Sequence, residues 1–199
     1  YSGLVGAEPP NDGTLSSMTA PASFSLLAPA YFEKYGLDAK QGKEVLARIA
    51  WKNHKNGARN PKAQFQTEVS MEQILASPKV ADPLGIMDCS GVSDGSAAAI
   101  VVRAEDAHKY RKDPIYIKAL SFVAGPGAGH LDTDYDFTTF REVVASAADA
   151  YRQAGITEPR KQIHIAEPYD PFDYKELHHL EGLMLFDKGK APEAARDGV

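Results

Sequence analysis

The second half of the chain alternates between short apolar runs and amphipathic helical patterns, and this alternation constrains the fold more than any other feature. The apolar runs occupy residues 97–102, 115–123 and 163–166, and a helical pattern follows each of them. Short apolar runs between helices are typical of strands whose sheet is covered on both faces. The sequence therefore predicts an α/β fold.

The first half of the chain predicts helices joined by one long loop. A helix begins after Thr19, which suits a cap, and Pro29 inside its pattern predicts a kink. A second helix follows Asp38, and residues 57–70 have the composition of an extended loop. A short helix is expected at residues 71–76.

Two helices of the second half begin with sequence patterns of capping boxes. Thr139 and Glu142 stand at the start of a helix that runs to Ala154, and Asp173 and Glu176 stand at the start of the last helix. In a capping box the first side chain bonds a backbone N–H in the first turn and the second reaches back to the cap. We therefore expect both helices to be capped by these side chains.

Composition and charge exclude several classes of protein. Hydrophobic residues make up 43% of the chain, and no apolar run approaches the roughly 20 residues that a membrane span needs. The net charge is -5, and the sequence has no evident basic face. We therefore expect no nucleic-acid partner. Cys89 is the only cysteine and the chain starts without a basic, apolar leader, so we expect a reducing, cytoplasmic setting.

Two charged clusters have a simple and a functional interpretation. The basic residues between positions 40 and 59 form either a solvated helix face, the simpler interpretation, or a small site for a nucleotide phosphate. His178 and His179 lie near Glu176 and Glu181, but adjacent histidines point to different faces of a helix. No third ligand is evident, so we expect a solvated helix and no metal site.

The run Met-Asp-Cys-Ser-Gly-Val-Ser-Asp-Gly-Ser-Ala-Ala-Ala at residues 87–99 allows close packing beside a ligand. Gly91 and Gly95 let the backbone turn and approach closely, and Ser90 can bond a neighbour. On these grounds alone a structural turn is the simpler interpretation. The run also resembles the thiolase segment D-C-x-x-S-D-G-A-A-A, whose Ser-Gly pair lies beside the pantetheine arm of coenzyme A. By this resemblance Ser90 and Gly91 take that place, and Asp94 and Gly95 are structural.

Two stretches upstream carry the same resemblance. Residues 52–65 are similar to the K-N-H…N-P-x-A-Q-F of sterol-carrier-type thiolases, which belongs to the loop region over the active site. Asn60 is therefore expected at the substrate site. Met18 opens a Met-Thr-Ala run that resembles the start of a helix bordering the acyl pocket, so Met18 is expected there too.

The stretch Glu-Pro-Tyr-Asp-Pro-Phe at residues 167–172 follows a predicted strand, where α/β folds place their chemistry. By itself it is an Asp-Pro turn before a helix. Thiolases carry Asn-Glu-Ala-Phe or His-Asp-Cys-Phe here, and the first residue supports an oxyanion hole. The resemblance makes Tyr169 the expected catalytic residue, for the oxyanion or for proton transfer. Asp170 and Phe172 are then structural at the site.

Tyr169 departs from the Asn or His of the thiolase pattern. A phenol stays protonated at neutral pH and can exchange a proton with a substrate hydroxyl. Thiolase-like retro-aldolases that act on steroid side chains use tyrosines in this way and dispense with the nucleophilic cysteine. The resemblance therefore implies an acyl-CoA C-acyltransferase of the acetyl-CoA acetyltransferase type. A retro-aldolase on a β-hydroxyacyl-CoA and a non-catalytic lipid-binding subunit are the alternatives.

The resemblance also implies an incomplete layered αβαβα thiolase-like fold. Residues 1–80 correspond to the loop-domain region, 81–112 to the end of the first thiolase half, and 113–199 to the first part of the second half. The family's reactive cysteines and Gly-His-Pro histidine fall outside these residues, so we expect the chain alone to be inactive. Cys89 is expected to be a small buried residue.

The resemblance further implies the molecules with which the protein acts. A coenzyme A thioester is the expected substrate, and no bound cofactor is expected. A homodimer and a small zinc-ribbon/OB-fold partner protein are implied for this branch of the family.

Overall fold

The computed structural model describes residues 19–127 and 132–197. Its first half is a group of helices, as the sequence predicts. These are α1 (Ala20–Ser25), α2 (Leu27–Lys34), α3 (Ala39–Gly57) and α4 (Met71–Leu75). The predicted kink is a break between α1 and α2, which places Pro29 in the first turn of α2, where its missing N–H leaves no helical bond unmade. None of the helices in the described ranges has the length and apolarity that crossing a bilayer requires.

Side-chain caps fix the starts of three of these helices. Thr19 accepts a hydrogen bond from the backbone of the first turn of α1. Asp38 and Ser70 form capping boxes with Gln41 and Gln73. Each such cap is worth about 1 kcal/mol, so local sequence alone sets where α3 and α4 begin.

The main core forms where α2 and α3 meet the end of the chain. The last two helices are α7 (Tyr174–Gly182) and α8 (Ala191–Asp197), and α8 packs against both α3 and α7. The buried side chains of this core are Leu27, Ala28, Tyr31, Phe32, Val45, Leu46, Ile49, Leu84, Phe172, Tyr174, Leu177 and Ala191. The core therefore joins segments from opposite ends of the described chain.

A small hairpin carries the chain from α4 toward this core. Strands β1 (Lys79–Ala81) and β2 (Leu84–Gly85) pair antiparallel, and a short 3-10 helix (Ile86–Asp88) follows. Cys89 then forms an antiparallel bridge with Phe172. The N–H of Ser90 donates to the carbonyl of Pro171 at 3.0 Å, and the N–H of Asp173 donates to the carbonyl of Asp88 at 3.1 Å. The runs 88–90 and 171–173 are therefore tied together by backbone bonds.

The three predicted strands have no regular secondary structure and no strand partner within the part of the chain that the structure describes. Residues 97–102, 115–123 and 163–166 belong to no sheet there. Their apolar side chains face outward: Ile100 and Phe122 are each 88% exposed. The predicted α/β fold is confirmed only as a mixture of helix and strand. No strand among the described residues pairs with these segments, so the covered sheet stays a prediction.

Both capping boxes predicted for the second half are wrong. Helix α5 (Arg141–Ala154) begins without a side-chain cap, and the Thr139 hydroxyl instead accepts a hydrogen bond from Lys188 Nζ at 3.4 Å. After the short helix α6 (Pro159–Gln162), helix α7 also begins without a side-chain cap. The Asp173 carboxyl that was expected to cap α7 is buried beside Asp88 instead.

Helix α7 is buried, so the prediction of a solvated helix at the histidine pair is wrong. The ring of His178 lies 5.2 Å from that of Tyr31 and 4.9 Å from that of Tyr174. Burial lowers the pKa of His178 to about 3 and the pKa of His179 to about 4, so both rings are neutral at pH 7. Within residues 19–127 and 132–197, no group of three or more potential metal ligands comes together.

Candidate functional site

A cavity of about 310 Å³ lies between the end of α3, the loop that follows it and the bridged runs 88–90 and 171–173. Its lining comprises Ala50, Asn53, His54, Gly57, Ala63, Gln64, Phe65, Met87, Cys89, Ser90, Gly91, Asp170 and Asp173. Stretches 52–65, 87–99 and 167–172, which the sequence marked separately, therefore each contribute to one cavity. Its volume is at the lower end of the range for ligand pockets.

The loop after α3 forms one wall because the chain turns back on itself there. The Phe65 ring returns to lie 5.9 Å from the His54 ring, measured between centroids. Gly57 permits this return, since a Cβ there would stand 2.8 Å from the backbone oxygen of Phe65. A larger residue at position 57 would push the wall outward.

The opposite wall is the turn at Ser90 and Gly91, both of which were predicted to contact substrate. A Cβ on Gly91 would lie 2.9 Å from the Phe65 ring and 3.5 Å from the Gln64 amide nitrogen. The backbone at Gly91 therefore makes a close approach to the loop of residues 58–65. The Ser90 hydroxyl and the Gln64 amide are the uncharged hydrogen-bond donors beside this turn.

Two carboxyl groups line the cavity next to this turn. Asp170 Oδ2 accepts a hydrogen bond from Asn53 Nδ2 at 3.1 Å, while Asp170 Oδ1 is buried and has no partner among the described residues. Asp173 is only 6% exposed, and its Oδ2 likewise lacks a partner in the described ranges. Buried acceptors without partners are costly, so these two oxygens mark the polar end of the cavity.

Burial and neighbouring acids raise the pKa values of both carboxyl groups. The pKa of Asp170 rises to about 7, chiefly through burial and then through Glu176, while Lys52 and the Asn53 hydrogen bond act in the opposite direction. Burial, Asp88 and Asp170 raise the pKa of Asp173 well above its ordinary value. Both carboxyl groups therefore keep their protons to a higher pH than an ordinary aspartic acid does.

Two lysines of the basic stretch compensate the remaining acids. Lys43 binds Asp88 and Lys52 binds Glu176, and all four side chains are at least half buried. The interpretation of this stretch as a solvated helix face is therefore wrong for these two lysines. They neutralise carboxylates below the cavity wall and are not available to an incoming phosphate.

Cys89 lines the cavity as a thiol and not as a thiolate. Burial is the main cause that raises its pKa to about 11, and the nearby carboxyls of Asp88 and Asp173 add to the effect. Because the thiolate is the nucleophile, this cysteine is a weak one at neutral pH. Cys89 was expected to be a small buried residue, and the structure shows it partly buried against the core.

Tyr169 lies outside the cavity, although it precedes Asp170 directly. Its side chain is 71% exposed, and its ring stands 5.1 Å from Lys175 Nζ. Asn60 is also exposed, and its side chain accepts a hydrogen bond from the backbone of Lys62 at 2.9 Å. The proposed roles of Tyr169 and Asn60 stay predictions.

The other predicted site residues have varied positions. Asp94 and Gly95 are exposed in the run after the cavity. Phe172 is buried in the core, with its ring 5.0 Å from that of Phe24. Met18 lies outside the described residues. The structure thus brings together Ser90, Gly91 and Asp170 from the predicted set.

Sequence reasoning missed the carboxyl pair as a functional feature. It treated Asp170 as structural and Asp173 as a helix cap. The available signal was the density of acidic residues, since residues 167–176 contain four Asp or Glu side chains besides the two aspartates of the run at 87–99. Carboxylates this close together repel one another unless lysines pair with them or some of them are protonated.

Comparisons with known proteins find the thiolase resemblance that the sequence motifs indicate. A family model described as thiolase C-terminal domain-like matches residues 128–199. Acetyl-CoA acetyltransferase of Methanothermobacter thermautotrophicus is 34% identical over 182 residues, which cover 92% of this chain and 45% of that protein. Sterol carrier protein 2 of Homo sapiens is 32% identical over 184 residues, which cover 89% of this chain and 32% of that protein.

A solved structure shares the fold. The structure titled "Ltp2-ChsH2(DUF35) aldolase" superposes with a TM-score of 0.80 at 28% sequence identity, covering 92% of this chain and 47% of the other. The chain thus spans about half the length, or less, of the relatives it matches.

Proposed function

We propose that the parent protein of this chain forms or cleaves a carbon–carbon bond next to a coenzyme A thioester. The support is that the chain is similar to an acetyl-CoA acetyltransferase and to sterol carrier protein 2 along most of its length. The proposed activity is that of an acyl-CoA C-acyltransferase of the acetyl-CoA acetyltransferase type. The supporting observation is the cavity, to which three stretches with thiolase motifs each contribute. An acyl-CoA substrate would place its pantetheine arm beside Ser90 and Gly91, which line the cavity.

The layered fold belongs to the same proposal. Its support is the set of apolar and exposed segments at 97–102, 115–123 and 163–166. Unpaired edges of this kind need neighbouring strands, which the rest of a full-length thiolase would supply. We assign residues 1–80 to the loop-domain region, 81–112 to the end of the first half and 113–199 to the first part of the second half. The reactive cysteine would also lie elsewhere, which leaves these 199 residues inactive alone.

A retro-aldolase acting on a β-hydroxyacyl-CoA is the second candidate. Two observations favour it: Tyr169 stands where thiolases carry Asn or His, and the structural neighbour is titled an aldolase. That title also names two components, which is consistent with an assembly containing a partner protein. A homodimer and a small zinc-ribbon/OB-fold partner are part of this proposal.

Mass spectrometry of the complete protein after incubation with a short acyl-CoA tests the proposed acyltransferase. A stable acyl adduct on a cysteine other than Cys89 is the expected result, and a Cys89→Ala variant should retain it. Release of an aldehyde or ketone from a β-hydroxyacyl-CoA, without an adduct, would establish the aldolase instead. Neither adduct nor product would leave a non-catalytic lipid-binding subunit.

A further inference from the structure

A lysine in the first turn of α7 is surrounded by three aromatic rings. Lys175 Nζ lies 5.0 Å from the ring centre of Phe24 and 5.3 Å from that of Phe140. The third ring is that of Tyr169, whose centre is 5.1 Å away. These three rings, which we call the aromatic cage, come from α1, from the residue directly before α5 and from the turn at residues 167–172. One partly buried ammonium group therefore joins three separate parts of the chain.

The aromatic cage stands in place of the carboxylate that usually accompanies a buried lysine. Lys43 and Lys52, which are also partly buried, each pair with an acid. Lys175 has no ion pair and no hydrogen bond from its side chain among the described residues. Burial lowers the pKa of Lys175, and Asp170 acts in the opposite direction. The negative faces of the rings also favour the ammonium form, so the cage stabilises this charge.

The members of the aromatic cage differ in how firmly they are held. The rings of Phe24 and Phe140 both pack against the main core. The side chain of Tyr169 is 71% exposed, and its hydroxyl makes no hydrogen bond within the described ranges. Lys175 lies between the two anchored rings and the exposed one, so its ammonium group is the contact that fixes the position of Tyr169.

Resting on the proposed function, we propose that Lys175 is a positioning residue, whose ammonium group holds the Tyr169 ring in the orientation in which the hydroxyl meets a bound acyl-CoA. Tyr169 directly precedes Asp170, which lines the cavity. Donation to an oxyanion and proton transfer both depend on where the phenol hydroxyl stands, because a hydrogen bond requires a narrow range of distance and angle. A ring that is free at the surface would reach that position only part of the time.

Lys175→Met tests the proposal in the complete protein, because methionine keeps an unbranched side chain between the rings and removes the charge. Turnover, assayed with a short acyl-CoA or with a β-hydroxyacyl-CoA, should fall about 2–30-fold, the factor to which a cation–π contact corresponds. KM should be unchanged, since Lys175 acts through Tyr169. Lys175→Arg should restore turnover, because a guanidinium also binds ring faces. Lys161→Met, which removes an exposed lysine paired with Glu158, is the matched control and should leave turnover unchanged.

A double-mutant cycle separates positioning from a merely structural role. Tyr169→Phe lacks the hydroxyl that Lys175 positions, so adding Lys175→Met to it should cause no further loss of turnover. A structural role would instead lower turnover by the same factor in both backgrounds. Full turnover in Lys175→Met, or losses that multiply in the double variant, would overturn the proposal.

A fluorine label measures the contact without any activity. A fluorinated tyrosine is introduced at position 169 alone, and its fluorine NMR resonance should shift when Lys175→Met removes the charge over the ring. The resonance should stay in place in Lys161→Met. If neither candidate reaction occurs, the proposed function fails, and the shift still decides whether Lys175 holds Tyr169. An active protein whose resonance does not respond to Lys175→Met would overturn this inference alone.

Discussion

Replacing Asp170 by asparagine should make the protein more stable at high pH while leaving its stability at low pH unchanged. Asparagine matches the size of the protonated acid and can keep the contact with Asn53. The folded pKa of Asp170 is about 7 against an ordinary value of 3.8, because burial and Glu176 disfavour the charge. A raised acid pKa means that the folded state holds its proton more tightly than the unfolded state does. The stability from that proton is complete below pH 4 and is lost as the pH rises toward 7.

The size of the effect follows from the difference between the two pKa values. Each pH unit of difference is worth about 1.4 kcal/mol, so the wild type should lose at most about 4 kcal/mol between pH 4 and pH 8. Partial exposure of Asp170 and screening reduce this figure, and we expect about 2–4 kcal/mol. The variant should show no such loss at this position.

Thermal unfolding of the complete protein and of the variant, followed by circular dichroism from pH 4 to pH 8, measures this difference. The two melting temperatures should coincide near pH 4 and diverge by several degrees by pH 8, with the variant the more stable. Asp187→Asn provides the control of opposite sign, because Arg160 holds the pKa of that carboxyl below its ordinary value. A constant offset between wild type and Asp170→Asn across the series would refute the buried-acid interpretation.

Four further outcomes are expected. Gly91→Ala should raise KM for acyl-CoA several-fold with little loss of stability, because the added Cβ meets the movable Phe65 ring. An unchanged KM in a steady-state assay would show that Gly91 does not contact the substrate. Tyr169→Phe should lower turnover about 10²–10³-fold if the phenol donates to an oxyanion, and full turnover would remove Tyr169 from the site. His178→Phe should weaken the fall in melting temperature between pH 7 and pH 5. The buried histidine has a lowered pKa, so protons bind it more tightly in the unfolded chain, and protonation favours unfolding as the pH drops below 6.5. An equal fall in both proteins would contradict this. Alkylation of Cys89 at pH 8, mapped by peptide mass spectrometry, should be about 10²-fold slower than that of a peptide thiol, and rapid labelling would show that its pKa is ordinary.

Local chemistry was the part of the structure that the sequence could predict. The helix predicted after Asp38 begins there, because Asp38 and Gln41 form a capping box within one turn. Val45 and Ile49 of α3 both lie in the core, since residues four apart in a helix share one face. Gly91 was expected to approach a ligand; in the structure it lies close to Phe65, and its contact with a ligand stays a prediction.

Long-range partners were the part that the sequence could not supply. Asp173 has the pattern of a helix cap, and the same pattern serves a carboxyl that is buried beside Asp88. His178 was expected in solvent because nothing near it in sequence reveals the ring of Tyr31 against it. The pKa of Asp170 likewise depends on Lys52 and on burial by distant elements, so composition alone could not single it out.

The contacts around the core join residues that are far apart in the sequence, and this separation affects the order in which the protein folds. The hydrogen bonds from Asn53 to Asp170 and from Tyr31 to Glu181 close loops of 117 and 150 residues. Contacts of such high sequence separation slow folding, because loop closure costs entropy before it brings any packing. During synthesis the apolar face of α3 leaves the ribosome long before α7 and α8 exist to cover it. The cavity can therefore appear only at the end of folding, and binding of a ligand there would report that the chain has reached its final form.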